Sequence, residues 1–309
     1  MSDTVTHLWD DTVLPFQLDA SDIRGRVARL DGVLEQVLAQ HDYPDRIEAL
    51  VAEMALLTAL IGQAIKVRWK LSLQVRGDGP VHLLVVQVTA DGRARGLARW
   101  KADSLPAAST DGVELGALFG TEARLVITIE ATLKAEPYQG IVMLEGTRLA
   151  DALARYFRDS EQLQTELVIA VDERVAAGVL LQKLPARERL QDGEGRDADG
   201  WRRASMLAAT LEPVELRERA VSELLHALYH EERVRLFEES PVRFECSCSR
   251  ARTDAMLQGL GQAEVEDIVV EQGAVDITCE FCDADYHYDA VDVAALFAGA
   301  IEADEDVQH

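Results

Sequence analysis

Four residues in this chain can do metal or redox chemistry together. Cys246 and Cys248 flank Ser247, and Cys279 and Cys282 flank Glu280-Phe281. The 309 residues hold no other cysteine, and thirty residues separate the two pairs. A bent backbone turns both sulfurs of such a pair toward one point. Two pairs then supply the four thiolates that tetrahedral zinc takes in a closed site. Four protein ligands leave no position for water or substrate, which argues against a catalytic zinc. The same sulfurs can oxidise, because thiolate is the reactive form and each has a partner nearby. Oxidation would remove ligands and release the metal. Spacing alone leaves both a permanent staple and a redox switch open.

The elements that must position these sulfurs form a small C-terminal unit, residues 235–309. Ser249 can cap a helix running to about Leu257, and a second helix from about Ala263 stops at Gly273. Ala274 to Cys279 and Tyr286 to Asp289 read as strands joined by the Cys279–Cys282 knuckle. Val291 to Ala300 reads as a last helix before an acidic tail. A unit of this size buries too little surface to be safe without a staple.

Upstream, residues 186–234 read as a linker. The stretch 186–212 is polar and glycine-rich, and Pro213 opens a charged helix to about Glu232 with Leu216, Ala220, Leu224, Leu225 and Leu228 on one stripe. Such a helix must dock on something and can undock. His226 and His230 stand four apart on it, a spacing that can bind metal, but no third ligand accompanies them, so they read as a solvated face.

Residues 1–185 read as one α+β domain with a mostly antiparallel sheet. Helices are expected over Asp31–Gln40 and Asp45–Gln63, the second with Ile47, Leu50, Met54, Leu57 and Ile61 on one stripe. His41 between them reads as a helix-end residue. Three alternating strands follow between Leu71 and Trp100, turned at Gly77-Asp78-Gly79-Pro80 and at Asp91-Gly92. The first of these turns lacks the lysine and helix of a phosphate cradle. Further strands are expected at 124–132, 138–144, 165–171 and 179–184, with a helix through Leu149, Leu153, Tyr156 and Phe157. Leu14-Pro15-Phe16 is too short to assign.

A net charge of −24 repels phosphate backbones and argues against a nucleic-acid partner. No apolar run approaches the roughly 20 residues of a membrane span. The opening MSDTVTHLWDD is acidic where an export signal would be basic and then apolar, so a cytoplasmic protein with reduced thiols is expected.

The cysteine arrangement, with RGRVARL at 24–30, HDYP at 41–44, YQGIVMLEG at 138–146, YFRDSEQLQT at 156–165 and LLQKLP at 180–185, resembles the redox-regulated heat-shock holdase family, the 33 kDa chaperonins. The resemblance implies an ATP-independent holding chaperone and not an enzyme. Reduced and zinc-bound, it would be inactive. Under oxidative and heat stress, Cys246–Cys248 and Cys279–Cys282 would become disulfides, zinc would leave, the zinc domain would unfold and the linker would lose its docking partner. Unfolded client proteins would then bind exposed apolar surface, and oxidised subunits would form homodimers. Two departures are visible. Gln164 stands where the family usually has proline, and Tyr288 where it often has phenylalanine.

Other classes compete. A constitutive zinc-ribbon interaction module would use the same four cysteines without redox control. A thiol oxidoreductase would use Cys279 and Cys282, but that motif reads as catalytic at a helix start after a strand, and here it sits in a hairpin knuckle. No His, Asp or Ser cluster in the N-terminal domain makes an acid–base constellation.

Overall fold

The computed structural model describes residues 10–62, 69–105, 113–131, 136–172, 174–184 and 199–305. Residues 106–112, the glycine-rich stretch 186–198 and the end of the acidic tail lie outside them. The chain divides into two compact units, Met1–Glu245 and Cys246–His309.

In the first unit the chain runs through β1 (Thr12–Leu18), β2 (Ile23–Leu30), α1 (Gly32–Leu38), α2 (Asp45–Gly62), β3 (Trp69–Arg76), β4 (Val81–Thr89), β5 (Arg93–Trp100), α3 (Leu115–Phe119), β6 (Arg124–Ala131), β7 (Tyr138–Met143), α4 (Leu149–Asp159), β8 (Thr165–Val171) and β9 (Ala176–Lys183). It continues through α5 (Gly200–Ala208), α6 (Pro213–Glu218), α7 (Val221–Tyr229), β10 (Val234–Leu236), β11 (Ser240–Pro241) and β12 (Arg243–Phe244). One sheet has the order β10-β1-β2-β9-β8, with β11 also on β1. The other has the order β12-β5-β4-β3-β6-β7 and is antiparallel except at β12.

The helix α2 packs between the two sheets. It is therefore apolar nearly all round: Val51, Ala55, Leu56, Ala59 and Leu60 are buried beside the expected stripe. Such a helix belongs in a core. Thr58 satisfies its hydroxyl there by donating to the Met54 carbonyl at 2.6 Å.

The first sheet is covered on both faces. Val13, Ala28, Leu30 and Leu180 face the α2 core. Phe16, Leu18, Ile23, Val27, Val179 and Leu181 face a second core completed by Ala204, Leu216, Leu224, Leu225, Leu228 and Tyr229 of α5, α6 and α7. Double coverage explains why Arg26 on β2 is buried. Its guanidinium donates to the Leu60 carbonyl at 3.2 Å, at the C-terminal end of α2, where a cation is favoured. Burial, with Arg24 beside it, lowers its pKa to about 9.

Three segments differ from the sequence reading. Residues 12–18 form a full strand despite Pro15. Its outer edge pairs with β11 at Thr12 and Val13 and with β10 from Phe16 to Leu18, so the proline sits between two ladders and removes no bond. Part of the polar stretch is helical, since α5 begins at Gly200. The charged helix from Pro213 breaks at Arg219 and Ala220, both extended. On one straight helix Leu216 and Val221 would point about 140° apart at 3.6 residues per turn; the break lets both be buried.

A half-buried carboxylate ties α2 to α4. Glu53 accepts from the Ala150 amide at 3.0 Å, in the first turn of α4, which has no side-chain cap of its own. Burial raises the Glu53 pKa, opposed by the Ala150 and Leu149 amides. The folded form thus holds this proton more tightly than the unfolded chain. The contribution of this carboxyl to stability is fully present below about pH 4.3, the unfolded value, and falls as pH rises through the folded one. Glu53→Gln keeps an acceptor for the α4 amides and removes that fall. Between pH 4 and 7.5 the thermal midpoint of the variant should therefore rise relative to that of the parent, and a difference constant with pH would refute the assignment.

Candidate metal centre

The second unit is described by itself. Its elements are α8 (Arg250–Leu260), α9 (Gln262–Gln272), β13 (Val275–Thr278), β14 (Asp285–Tyr288) and α10 (Ala290–Glu305). The strands β13 and β14 form an antiparallel hairpin from Val275↔Tyr288 to Thr278↔Asp285. Leu257, Val265, Val275, Tyr288, Val293 and Phe297 make a small core among the described residues.

The hairpin loop carries Cys279 and Cys282. The Cys279 amide donates to the Ala284 carbonyl at 2.9 Å, and the Asp283 amide returns to the Cys279 carbonyl at 2.8 Å. Asp283 takes the left-handed conformation that closes the knuckle, one that Asp tolerates better than most residues. Cys246 and Cys248 arrive just before α8. There Ser249 caps the helix by accepting from the Arg252 amide, and the Arg252 guanidinium donates to the Ser247 hydroxyl at 2.7 Å.

All four sulfurs lie within 4.8 Å of one another. Cys246 and Cys279 are 3.7 Å apart, and Cys248 and Cys282 are 3.3 Å apart. A tetrahedron with zinc–sulfur bonds near 2.3 Å has edges of about 3.8 Å. The four side chains are partly buried thiols, none joined in a disulfide. Burial pushes the Cys279 and Cys282 thiols up; the Cys246 sulfur adds to the rise at both, while Cys282 opposes it at Cys279. The Phe281 amide, bonded to Cys279, and the Ala284 amide, bonded to Cys282, oppose it. Crowded thiolates at this spacing repel, and a divalent cation is the group that offsets the repulsion. The residues present fit zinc: soft donors, tetrahedral spacing and amides directed at sulfur. When bound, the metal would be held by Cys246, Cys248, Cys279 and Cys282 in a closed shell, a structural chemistry.

All four cysteines predicted from sequence are thus brought together. His226 and His230 lie on the exposed face of α7 with ring centroids 6.1 Å apart, outside this cluster. His41 follows α1 and stacks edge-on to Tyr43. Two supporting tyrosines were not singled out for this role. The Tyr286 hydroxyl hydrogen-bonds Cys248, which pushes its pKa up to about 12. The buried Tyr288 hydroxyl bonds Thr253 and donates to Asp254 at 2.7 Å, while Arg250 lies 4.3 Å over its ring. The signal was available in Tyr286-His287-Tyr288. Alternation along β14 puts both tyrosines on the face of Val275 and Ile277.

The departure to tyrosine at 288 therefore adds a tie between β14 and α8. Tyr288→Phe should weaken the unit by about 1.5–3 kcal/mol, the range for hydrogen bonds to a charged acceptor. Zinc stoichiometry should stay at one while release to a chelator speeds several-fold. An unchanged release rate would leave the hydroxyl without a stabilising role.

No helix among the described residues is long and apolar enough to cross a membrane. The family model for Hsp33 protein matches residues 11–289. The chain is 41% identical over 293 residues to the 33 kDa chaperonin of Nitrosococcus oceani, covering 95% of this chain and 96% of that one. It is 44% identical over 286 residues to the 33 kDa chaperonin of Pseudomonas paraeruginosa, covering 92% and 94%. The crystal structure of the 33 kDa chaperonin from Thermotoga maritima shares the fold, with a TM-score of 0.77 at 20% identity over 94% of this chain and 99% of that one.

Proposed function

Since the chain belongs to the Hsp33 chaperone family, we propose that it is a redox-regulated, ATP-independent holdase whose switch is the four-cysteine centre. The observation that carries this reading is the convergence of Cys246, Cys248, Cys279 and Cys282 within 4.8 Å in a unit with a small core. Reduced, the four thiolates hold zinc and staple that unit. Under oxidative and heat stress each pair loses two electrons to peroxide, which is reduced to water. Disulfides Cys246–Cys248 and Cys279–Cys282 form, and the site no longer holds zinc.

The loss passes upstream through the chain. Only the short strands β10, β11 and β12 separate α7 from Cys246. They pair with β1 and β5 over two or three residues each. Unfolding after Cys246 loosens these pairings, and α5–α7 then leave the face of Phe16, Leu18, Ile23 and Val27. Apolar patches larger than a few hundred Å² are interaction sites. Unfolding client proteins bind there, and oxidised subunits associate as homodimers. Holding makes and breaks no bond in the client, so the activity is not enzymatic. The protein acts in the cytoplasm, where thiols rest reduced.

Light scattering of a heat-unfolding client tests the reading. The protein is added either reduced and zinc-loaded or after peroxide at raised temperature. Suppression of aggregation by the oxidised form alone is expected. Equal suppression by both would sink the switch and favour a constitutive zinc-ribbon interaction module.

A further inference from the structure

We propose that β7 is a strand-addition site for extended segments of unfolding polypeptide. This rests on the holdase reading: the edge is already open while the thiols are free, so it adds a second contact to a client first held on the face that α5–α7 uncover.

Stretches 138–146 and 156–165, separated by the nine residues 147–155, meet here. The Tyr138 and Tyr156 hydroxyls are 2.7 Å apart, and both bond Glu161, Tyr156 at 2.6 Å. A Cβ on Gly140 would lie 2.3 Å from the Tyr156 hydroxyl. A glycine is therefore required for α4 to lie so close over β7. The cluster holds a strand from one face and, among the described residues, leaves its other face and outer edge open.

That edge ends the second sheet. Register pairs Met143 with Arg124, and the Leu144 amide donates to the Ala123 carbonyl at 3.1 Å. By the alternation of antiparallel ladders, Tyr138, Gly140, Val142 and Leu144 bond toward β6. Gln139, Ile141 and Met143 then turn their amides and carbonyls outward, and among the described residues no strand pairs with them. Their side chains lie on the open face, with Ile141 58% and Met143 43% exposed.

Natural edges are guarded by charge, proline, shortness or a covering element. The edge strand β8 of the first sheet is packed by α4 and α6. The end strands β10 and β12 are three and two residues long. By contrast, β7 is six residues long, contains no charge and no proline, and exposes apolar side chains. Left unguarded, such an edge recruits another strand.

Charge selects the occupant. Each chain carries −24, so an acidic segment is disfavoured and a basic one is attracted. A neutral or basic extended segment with apolar residues at alternate positions fits: its backbone completes the ladder, and its side chains lie beside Ile141 and Met143. Backbone pairing is independent of sequence, as a holdase for many clients requires.

The full-length oxidised protein is tested with reduced, carboxamidomethylated lysozyme, a basic unfolded chain. Hydrogen exchange at Gln139, Ile141 and Met143 should slow at least tenfold when the probe is added. Ile141→Pro removes an amide that makes no bond within the sheet, and Ile141→Lys places a charge on the edge. With either, half-suppression of client aggregation should need at least fivefold more protein, with zinc binding of the reduced form unchanged. If Ile141→Pro does not fold, Ile141→Lys decides. Wild-type holding with unprotected amides and fully active variants would overturn the β7 site and leave the holdase reading standing. Failure of the oxidised wild type to hold any client would remove that reading and this one together. Protection that appears without the probe and grows with protein concentration would assign the edge to a second copy and overturn the proposal.

Discussion

Replacing Cys282 with serine is expected to abolish stoichiometric zinc binding and to unfold the chain beyond Cys246. The sulfur of Cys282 lies 3.3 Å from that of Cys248, and all four ligand atoms lie within 4.8 Å. Serine is a poor zinc donor, so three thiolates remain where the closed site takes four. Structural zinc contributes roughly 10–16 kcal/mol of apparent binding free energy, which in such units is folding free energy. The core of Leu257, Val265, Val275, Tyr288, Val293 and Phe297 is too small to replace it. Zinc content should fall from one per chain to near zero. Limited proteolysis should then cut within α8, α9 and α10 and, as the helix layer loosens, within α5–α7, while the α2 core resists. Zinc retained at one per chain, with an intact unit, would defeat the four-ligand assignment. The effect should far exceed that of Tyr288→Phe, which removes hydrogen bonds and leaves every ligand in place.

The centre was legible because its chemistry is local. Each cysteine pair is bent by its own neighbours, Ser249 at a helix cap and Asp283 in a knuckle. The meander of β3, β4 and β5 was legible for the same reason, its turn marked by Gly92 at φ +80°. What was missed depends on distant partners. Arg26 lies within RGRVARL, and only coverage of β2 from both sides explains a buried arginine there. Pro15 hides a strand whose outer partners lie more than 200 residues on. The break at Arg219 and Ala220 contains no glycine or proline; it exists because Leu216 and Val221 must reach the same sheet. Trp201, Ala204 and Ala208 do carry a helical period, masked by the polar glycine-rich residues before them. The Tyr138–Tyr156–Glu161 cluster joins two quoted stretches that no local pattern connects.

Leu224→Glu is expected to make the reduced, zinc-loaded protein bind hydrophobic dye and suppress client aggregation without peroxide. Leu224 is 1% exposed, at the centre of the core between α5–α7 and the first sheet. A carboxylate cannot stay there unpaired. Burying it costs several kcal/mol, and the helix layer escapes that cost by leaving the sheet. Little else holds the layer. Within it, Tyr229 donates to the Ala204 carbonyl at 3.2 Å and Arg203 pairs with the nearly buried Glu232, contacts that travel with the helices when they undock. Between layer and first sheet, Arg217 pairs with the exposed Asp172 at 2.9 Å, worth at most about 1 kcal/mol. Docking therefore rests on apolar burial, which Leu224→Ala should reduce by about 2–5 kcal/mol without adding charge. The alanine variant should show weaker dye binding than the glutamate variant, and both should keep one zinc per chain. That combination separates the two halves of the switch, since the apolar face opens while the thiolates stay reduced. Dye binding without client holding would mean that the face of Phe16, Leu18 and Ile23 is opened but is not where clients bind. No dye binding in either variant would mean that α5–α7 are fixed to the sheet by more than the side chains named here, and that release of the cysteine centre must act elsewhere.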